Sequence, residues 1–181
     1  SLLGNKKATY RYANMLYDGE ELEVDKKEAA RLYKLCFTAP ADFSISFLDN
    51  INIVHESYKK LADMLYYGDG IDQDKKEAAK YYKKLIIYGK EDAMIKYTNM
   101  LLNGDGIDQD KRAAAYILKI YADCNSIYAI DKYCSMLING DGIDSDPNEA
   151  AKYLAKKNDL LRSNASFEID QNFSFKFKDD K

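Results

Sequence analysis

The chain has no tryptophan, two prolines and one histidine. So little proline excludes a Pro-rich linker, and 46% apolar residues exclude a disordered chain. Its 27 basic and 30 acidic side chains leave a formal charge of -3, so no excess of one sign draws it to nucleic acid or to a membrane surface. No apolar run approaches the roughly 18 residues of a spanning helix. The three cysteines, Cys36, Cys124 and Cys134, form no C-x-x-C pair and no metal pattern with histidine. They read as buried small hydrophobes in a reducing compartment, with a Cys124–Cys134 disulfide as the minority alternative. The chain opens on Ser1-Leu2-Leu3-Gly4, without a Met and without a leader pattern. The expected location is the cytoplasm.

One histidine also leaves little room for catalysis. His55 has Glu56 beside it, and adjacent residues on a helix do not face one another. No Ser-His-Asp or Cys-His arrangement can be assembled, and no carboxylate pair is isolated in an apolar setting. His55 is expected to be a surface or capping residue. The expectation is a protein that is not an enzyme, with no catalytic residue and no cofactor.

What the sequence does have is a repeat. Gly68-Asp69-Gly70-Ile71-Asp72 recurs as Gly104-Asp105-Gly106-Ile107-Asp108 and as Gly140-Asp141-Gly142-Ile143-Asp144, at steps of 36 residues. The flanks agree: Met64-Leu65, Met100-Leu101 and Met136-Leu137 precede, while Ala78-Ala79, Ala114-Ala115 and Ala150-Ala151 follow. A weaker copy holds Met15-Leu16, Gly19 and Ala29-Ala30, with 13 extra residues before the next. Such self-similarity marks a repeat architecture.

Each unit predicts two helices. In the first, Ala8, Tyr12, Ala13 and Leu16 share one face, and Ser57, Leu61, Ala62, Leu65 and their later counterparts repeat the pattern. Gly19, Gly68, Gly104 and Gly140 stop it. Asp25, Asp74, Asp110 and Asp146 begin the second helix, with Glu28, Glu77 and Glu149 at capping-box spacing and Pro147 at a first helical position. Neither helix buries its apolar side alone, whereas stacked hairpins do. The units span about 5–36, 54–88, 90–124 and 126–161 in a solenoid over 1–161.

Two stretches break the period. The insertion 37–52 is rich in Phe and Ile, and Pro40 opposes one unbroken helix through it. It is expected to extend the hairpin, form a small helix or fold over an edge. In the tail 162–181, Phe167, Ile169, Phe173, Phe175 and Phe177 alternate with polar residues, which predicts an extended segment. That tail either covers the last repeat or docks as a strand, in cis or on a second molecule.

These units resemble the Sel1-like repeat family, relatives of tetratricopeptide repeats. The best copy runs from Leu61-Ala62-Asp63-Met64-Leu65-Tyr66-Tyr67-Gly68-Asp69-Gly70-Ile71-Asp72-Gln73-Asp74 to Ala78-Ala79-Lys80-Tyr81-Tyr82, and the likeness covers Ala8 to Lys157. The first unit departs, with Glu21 for the second Gly and Leu22 for Ile. Gly4 stands where Gly89 stands, so Ser1-Leu2-Leu3 reads as the stub of a preceding repeat and the chain as part of a longer array. The resemblance implies an all-α superhelix of about four hairpins acting as a non-catalytic scaffold or adaptor, with no common catalytic set. It also implies a groove lined by the first helices. There the columns are Arg11, Lys60, Lys96 and Lys132, basic throughout; Asn14, Asp63, Asn99 and Ser135, short and polar; and Tyr17, Tyr66, Leu102 and Ile138. The expected partner is a protein or peptide, an acidic or C-terminal peptide among the candidates, with the polar column gripping its backbone and the basic column its carboxylates. The alternative is a structural or oligomerisation segment of a larger protein. The turn aspartates Asp69, Asp72 and Asp74 are too few and too closely committed for a calcium loop, so no metal is expected, and Gly70, Gly106 and Gly142 are assigned to turn geometry.

Overall fold

The computed structural model describes residues 5–40, 42 and 44–176, with side chains described as far as Ser163. These residues hold eight α-helices: α1 Lys6–Asp18, α2 Lys26–Thr38, α3 Phe47–Tyr67, α4 Lys75–Ile87, α5 Glu91–Asn103, α6 Lys111–Asp123, α7 Ile127–Asn139 and α8 Pro147–Lys176. Two compact units divide the chain, Ser1–Gln109 with α1 to α5 and Asp110–Lys181 with α6 to α8. In the first, α1 packs on α2, α2 on α3, α3 on α4, α4 on α5 and α1 on α3; in the second, α6 packs on α7 and α7 on α8.

Each boundary follows from its residues. Asp25, Asp74, Asp110 and Asp146 accept the backbone N–H three residues on, at 2.8–2.9 Å, which satisfies a donor that the helix leaves free. The capping box is only half made, because Glu28 turns to Arg31 and Glu77 to Lys80 instead of back to the cap. Gly68 ends α3 in the left-handed conformation, at φ 69°.

The small residues are the places of closest packing. Ala13 and Ala62, Thr98 and Cys134 are buried on the first helices, and Ala29, Ala78, Ala114 and Ala150 on the second. Large side chains fill the remainder: Tyr33, Tyr82 and Leu118 are fully buried, each worth roughly 1.5–3 kcal/mol of apolar transfer. Leu154, next in that column, is 38% exposed.

Of the three fates open to the insertion, it extends the hairpin: α2 stops at Thr38, a turn follows, and Phe47 onward becomes the opening of the 21-residue α3. Three expectations change. The tail is helical through Lys176 instead of extended. No glycine or proline interrupts it after Pro147, and adding residues to an existing helix avoids the nucleation cost, whereas a lone strand has no ladder partner. Phe177, like Gly4 and the Ser1-Leu2-Leu3 stub, lies outside the described residues. His55 is not a surface or capping residue; it sits within α3 with 7% of its surface exposed, its ring 4.3 Å from that of Tyr88. Cys36 and Cys134 are buried as expected, but Cys124, in the cap position after α6, is exposed, and all three thiols are free.

Candidate functional site

The repeated turn is an inter-repeat joint. Asp69 Oδ1 accepts Lys26 Nζ at 2.5 Å and Asp69 Oδ2 accepts the Tyr17 hydroxyl at 2.6 Å, both from the preceding repeat. Asp105 receives Lys75 and Tyr66 in the same way, each at 2.6 Å. In the second unit Asp141 receives Lys111 at 2.6 Å. The lysine beside each carboxylate, then the tyrosine hydroxyl, hold Asp69 and Asp105 below the usual carboxylate range. The reciprocal hydrogen bonds raise Tyr17 and Tyr66 to about 12.

Gly70 belongs to the same joint. Its φ is 75°, and a Cβ there would overlap the Cβ of Lys26. Gly106 and Gly142 stand in the same relation to Lys75 and Lys111. The assignment of these glycines to turn geometry was therefore incomplete, because they also admit the lysine stem of the preceding repeat. The first turn shows the contrast: Glu21 holds a φ of 61°, a conformation that costs a side-chain-bearing residue about 1–2 kcal/mol. Lys26, Lys75 and Lys111 were not singled out from the sequence, although the lysine and the turn aspartate each recur in three of the four units, Pro147 and Glu20 being the exceptions.

The polar column is partly engaged inside its own hairpins. Asn14 Oδ1 accepts the Tyr33 hydroxyl at 2.7 Å and Asp63 Oδ1 that of Tyr82 at 2.6 Å. Burial first, and the Asp63 hydrogen bond second, push the Tyr82 phenol up. Asn99 is half-buried and Ser135 exposed, the latter accepting from Asn139 at 3.4 Å. The carbonyls of Leu102 and Ile138 accept from Gln109 and Ser145 in the following turns.

The basic column behaves differently. Among the described residues, no carboxylate ion pair reaches Arg11, Lys60, Lys96 or Lys132, while Lys26, Lys59, Lys75, Lys111, Lys119 and Lys157 all make one. Lys60 Nζ instead lies 4.5 Å from the centroid of the Tyr17 ring. Lys96 lies 4.7 Å from that of Tyr67 and 5.4 Å from that of Tyr66, and it donates to the Tyr67 hydroxyl. In the second unit Lys132 lies 5.9 Å from the Tyr128 ring. Arg11 is exposed beside Asn14, Met15, Glu20 and Glu21.

Helical hairpins joined by such turns define an all-α repeat solenoid. The Sel1 repeat profile matches residues 6–35, 55–86, 92–126 and 127–156, and the chain belongs to the Sel1 repeat family. That membership brings a general protein-interaction or scaffolding role. Among solved structures, a Sel1 repeat protein from Oxalobacter formigenes is similar at 22% identity and a TM-score of 0.58, over 83% of this chain and 56% of that one. So is c5321, a protective antigen of uropathogenic Escherichia coli with an SLR fold, at 20% identity and a TM-score of 0.52, over 88% of this chain and 39% of that one. The chain therefore spans about half the length, or less, of these relatives. No curated protein matches it.

Proposed function

We propose that the chain binds an acidic segment of a partner protein along the exposed faces of α1, α3 and α5 in the first unit, with Arg11, Lys60 and Lys96 taking its carboxylates. The observation that carries this reading is that the basic column makes no carboxylate ion pair among the described residues: Lys60 and Lys96 rest on tyrosine rings, which orients each ammonium. The rings of Tyr17, Tyr66 and Tyr67 supply apolar contact. The hydroxyls of Tyr17 and Tyr66 do not take part, because Asp69 and Asp105 hold them. In the second unit Lys132 offers an equivalent position of its own, with Ser135 and Ile138 exposed beside it.

A fluorescein-labelled hexaglutamate peptide tests this by polarisation. Binding is expected to weaken with salt, and the double variant K60E/K96E is expected to lower affinity by about tenfold or more. Unchanged affinity in a double variant with wild-type circular dichroism sinks the proposal. Absence of binding together with concentration-dependent self-association favours an oligomerisation segment instead.

A further inference from the structure

The insertion that breaks the repeat builds a cavity of about 480 Å³ at the head of α3, within the first unit. Its walls are largely aliphatic, from Ile45, Ile51 and Val54, and its size falls within the range that holds a small ligand or one large side chain. Most polar groups around it are already satisfied. Asp42 Oδ2 accepts the Lys6 backbone N–H at 3.0 Å, and Oδ1 accepts the Ser44 N–H at 2.9 Å and its hydroxyl at 2.5 Å. Asn50 spends its amide on the Asp42 backbone, accepting from the N–H at 3.0 Å and donating to the carbonyl at 2.7 Å.

The exception is His55. It lines the cavity, it is more than nine-tenths buried, and its Nδ1 has no hydrogen-bond partner. A buried polar nitrogen left unpaired costs about 1–3 kcal/mol, a cost that a turn of the ring towards an occupant of the cavity would relieve. Lys6 and Asp42 both stand on the wall, Asp42 already committed to the Lys6 backbone N–H and to Ser44, and burial followed by the charge of Lys90 lowers the His55 pKa against the opposing effect of Glu56. In its neutral form the imidazole carries one N–H to donate. The rim has an apolar character too: Phe47 is 77% exposed and Tyr88 55%. Apolar surface of that extent outside the cavity suits an occupant that continues beyond it, a chain instead of a small molecule.

We propose that this cavity seats the C-terminal residue of a partner peptide. Its large apolar side chain fills the cavity, and its free carboxylate faces Lys6 and accepts from the His55 imidazole, whose ring turns its Nδ1 N–H towards it. Phe47 and Tyr88 cover the preceding residue. The inference does not rest on the basic column, and its failure leaves that reading standing.

The probe is a labelled pentapeptide, Gly-Ser-Ala-Leu-Phe with a free carboxylate, compared with its C-terminal amide and with octanoate. The acid is expected to bind and to shift the His55 ring-nitrogen resonances, with the amide about tenfold weaker. F47A, an exposed rim change that leaves the core intact, and V54W, which fills the cavity, both weaken binding, whereas K60E/K96E does not. Equal affinity for acid and amide, or wild-type affinity in V54W, overturns the proposal. Octanoate binding as tightly as the peptide overturns it in favour of a free small acid, and peptide-independent self-association through F47 overturns it in favour of a second copy.

Discussion

Two turns with the same five residues are built to different strengths. The Asp105 turn, in the first unit, receives both a lysine and a tyrosine hydroxyl, and its carboxylate is 30% exposed. The Asp141 turn, in the second, receives Lys111, its carboxylate is 47% exposed, and the position that holds Tyr17 and Tyr66 earlier in the chain holds Leu102. Both contacts come from other helices: the ion pair recurs because α2, α4 and α6 each open on a lysine, whereas the tyrosine of the second hydrogen bond is replaced by Leu102. An exposed lysine–carboxylate pair contributes about 0.2–1 kcal/mol, whereas a hydrogen bond to a charged group contributes about 1.5–3.

The largest expected effect probes what the turns have in common. G106A and G142A each place a side chain at positive φ and against a lysine stem, and each is expected to cost about 2–4 kcal/mol in urea unfolding. A much smaller loss at either site means that the lysine stem yields. The next effect separates the turns. D105A is expected to cost about 1–2 kcal/mol and D141A less than about 1, and the gap should close in the Y66F background. Equal costs break the comparison. The smallest effect is on pH. Asp69 and Asp105 titrate lower in the folded chain than in the unfolded one, so their contribution is present above the unfolded pKa, near 4, and is lost as pH falls through the folded values. Thermal melts of wild type against D69N/D105N are expected to converge as the pH falls below the unfolded value near 4. Parallel curves from pH 6 to pH 2 remove the carboxylates from the acid limb.

Almost all of the helical framework was legible, because periodicity, caps and glycine stops are local signals repeated in register. The joints were not. Lys26 meets Asp69 across 43 residues, and Lys75 meets Asp105 across 30, a difference equal to the 13 extra residues between the first two units. Reading one unit alone leaves both residues as solvent-facing charges; reading recurrent columns against the next unit pairs them. The candidate tyrosines were found, but the sequence does not say that two hydroxyls point into turns and leave only rings to a partner. The tail shows the opposite error: alternation was taken for a strand where no second strand stands among the described residues to complete the ladder. His55 was misplaced because the insertion lengthens α3, and the sequence around Pro40 did not show where that helix begins.

The direction of the joints has a consequence for synthesis. Each aspartate fastens onto a hairpin that lies earlier in the chain, at separations of 43, 30 and 30 residues. A hairpin emerging from the ribosome meets a finished neighbour and needs nothing still to be made. Short separations also keep the loop-closure cost low. The chain is wired to be assembled in the order in which it is translated, each new turn latching the one before.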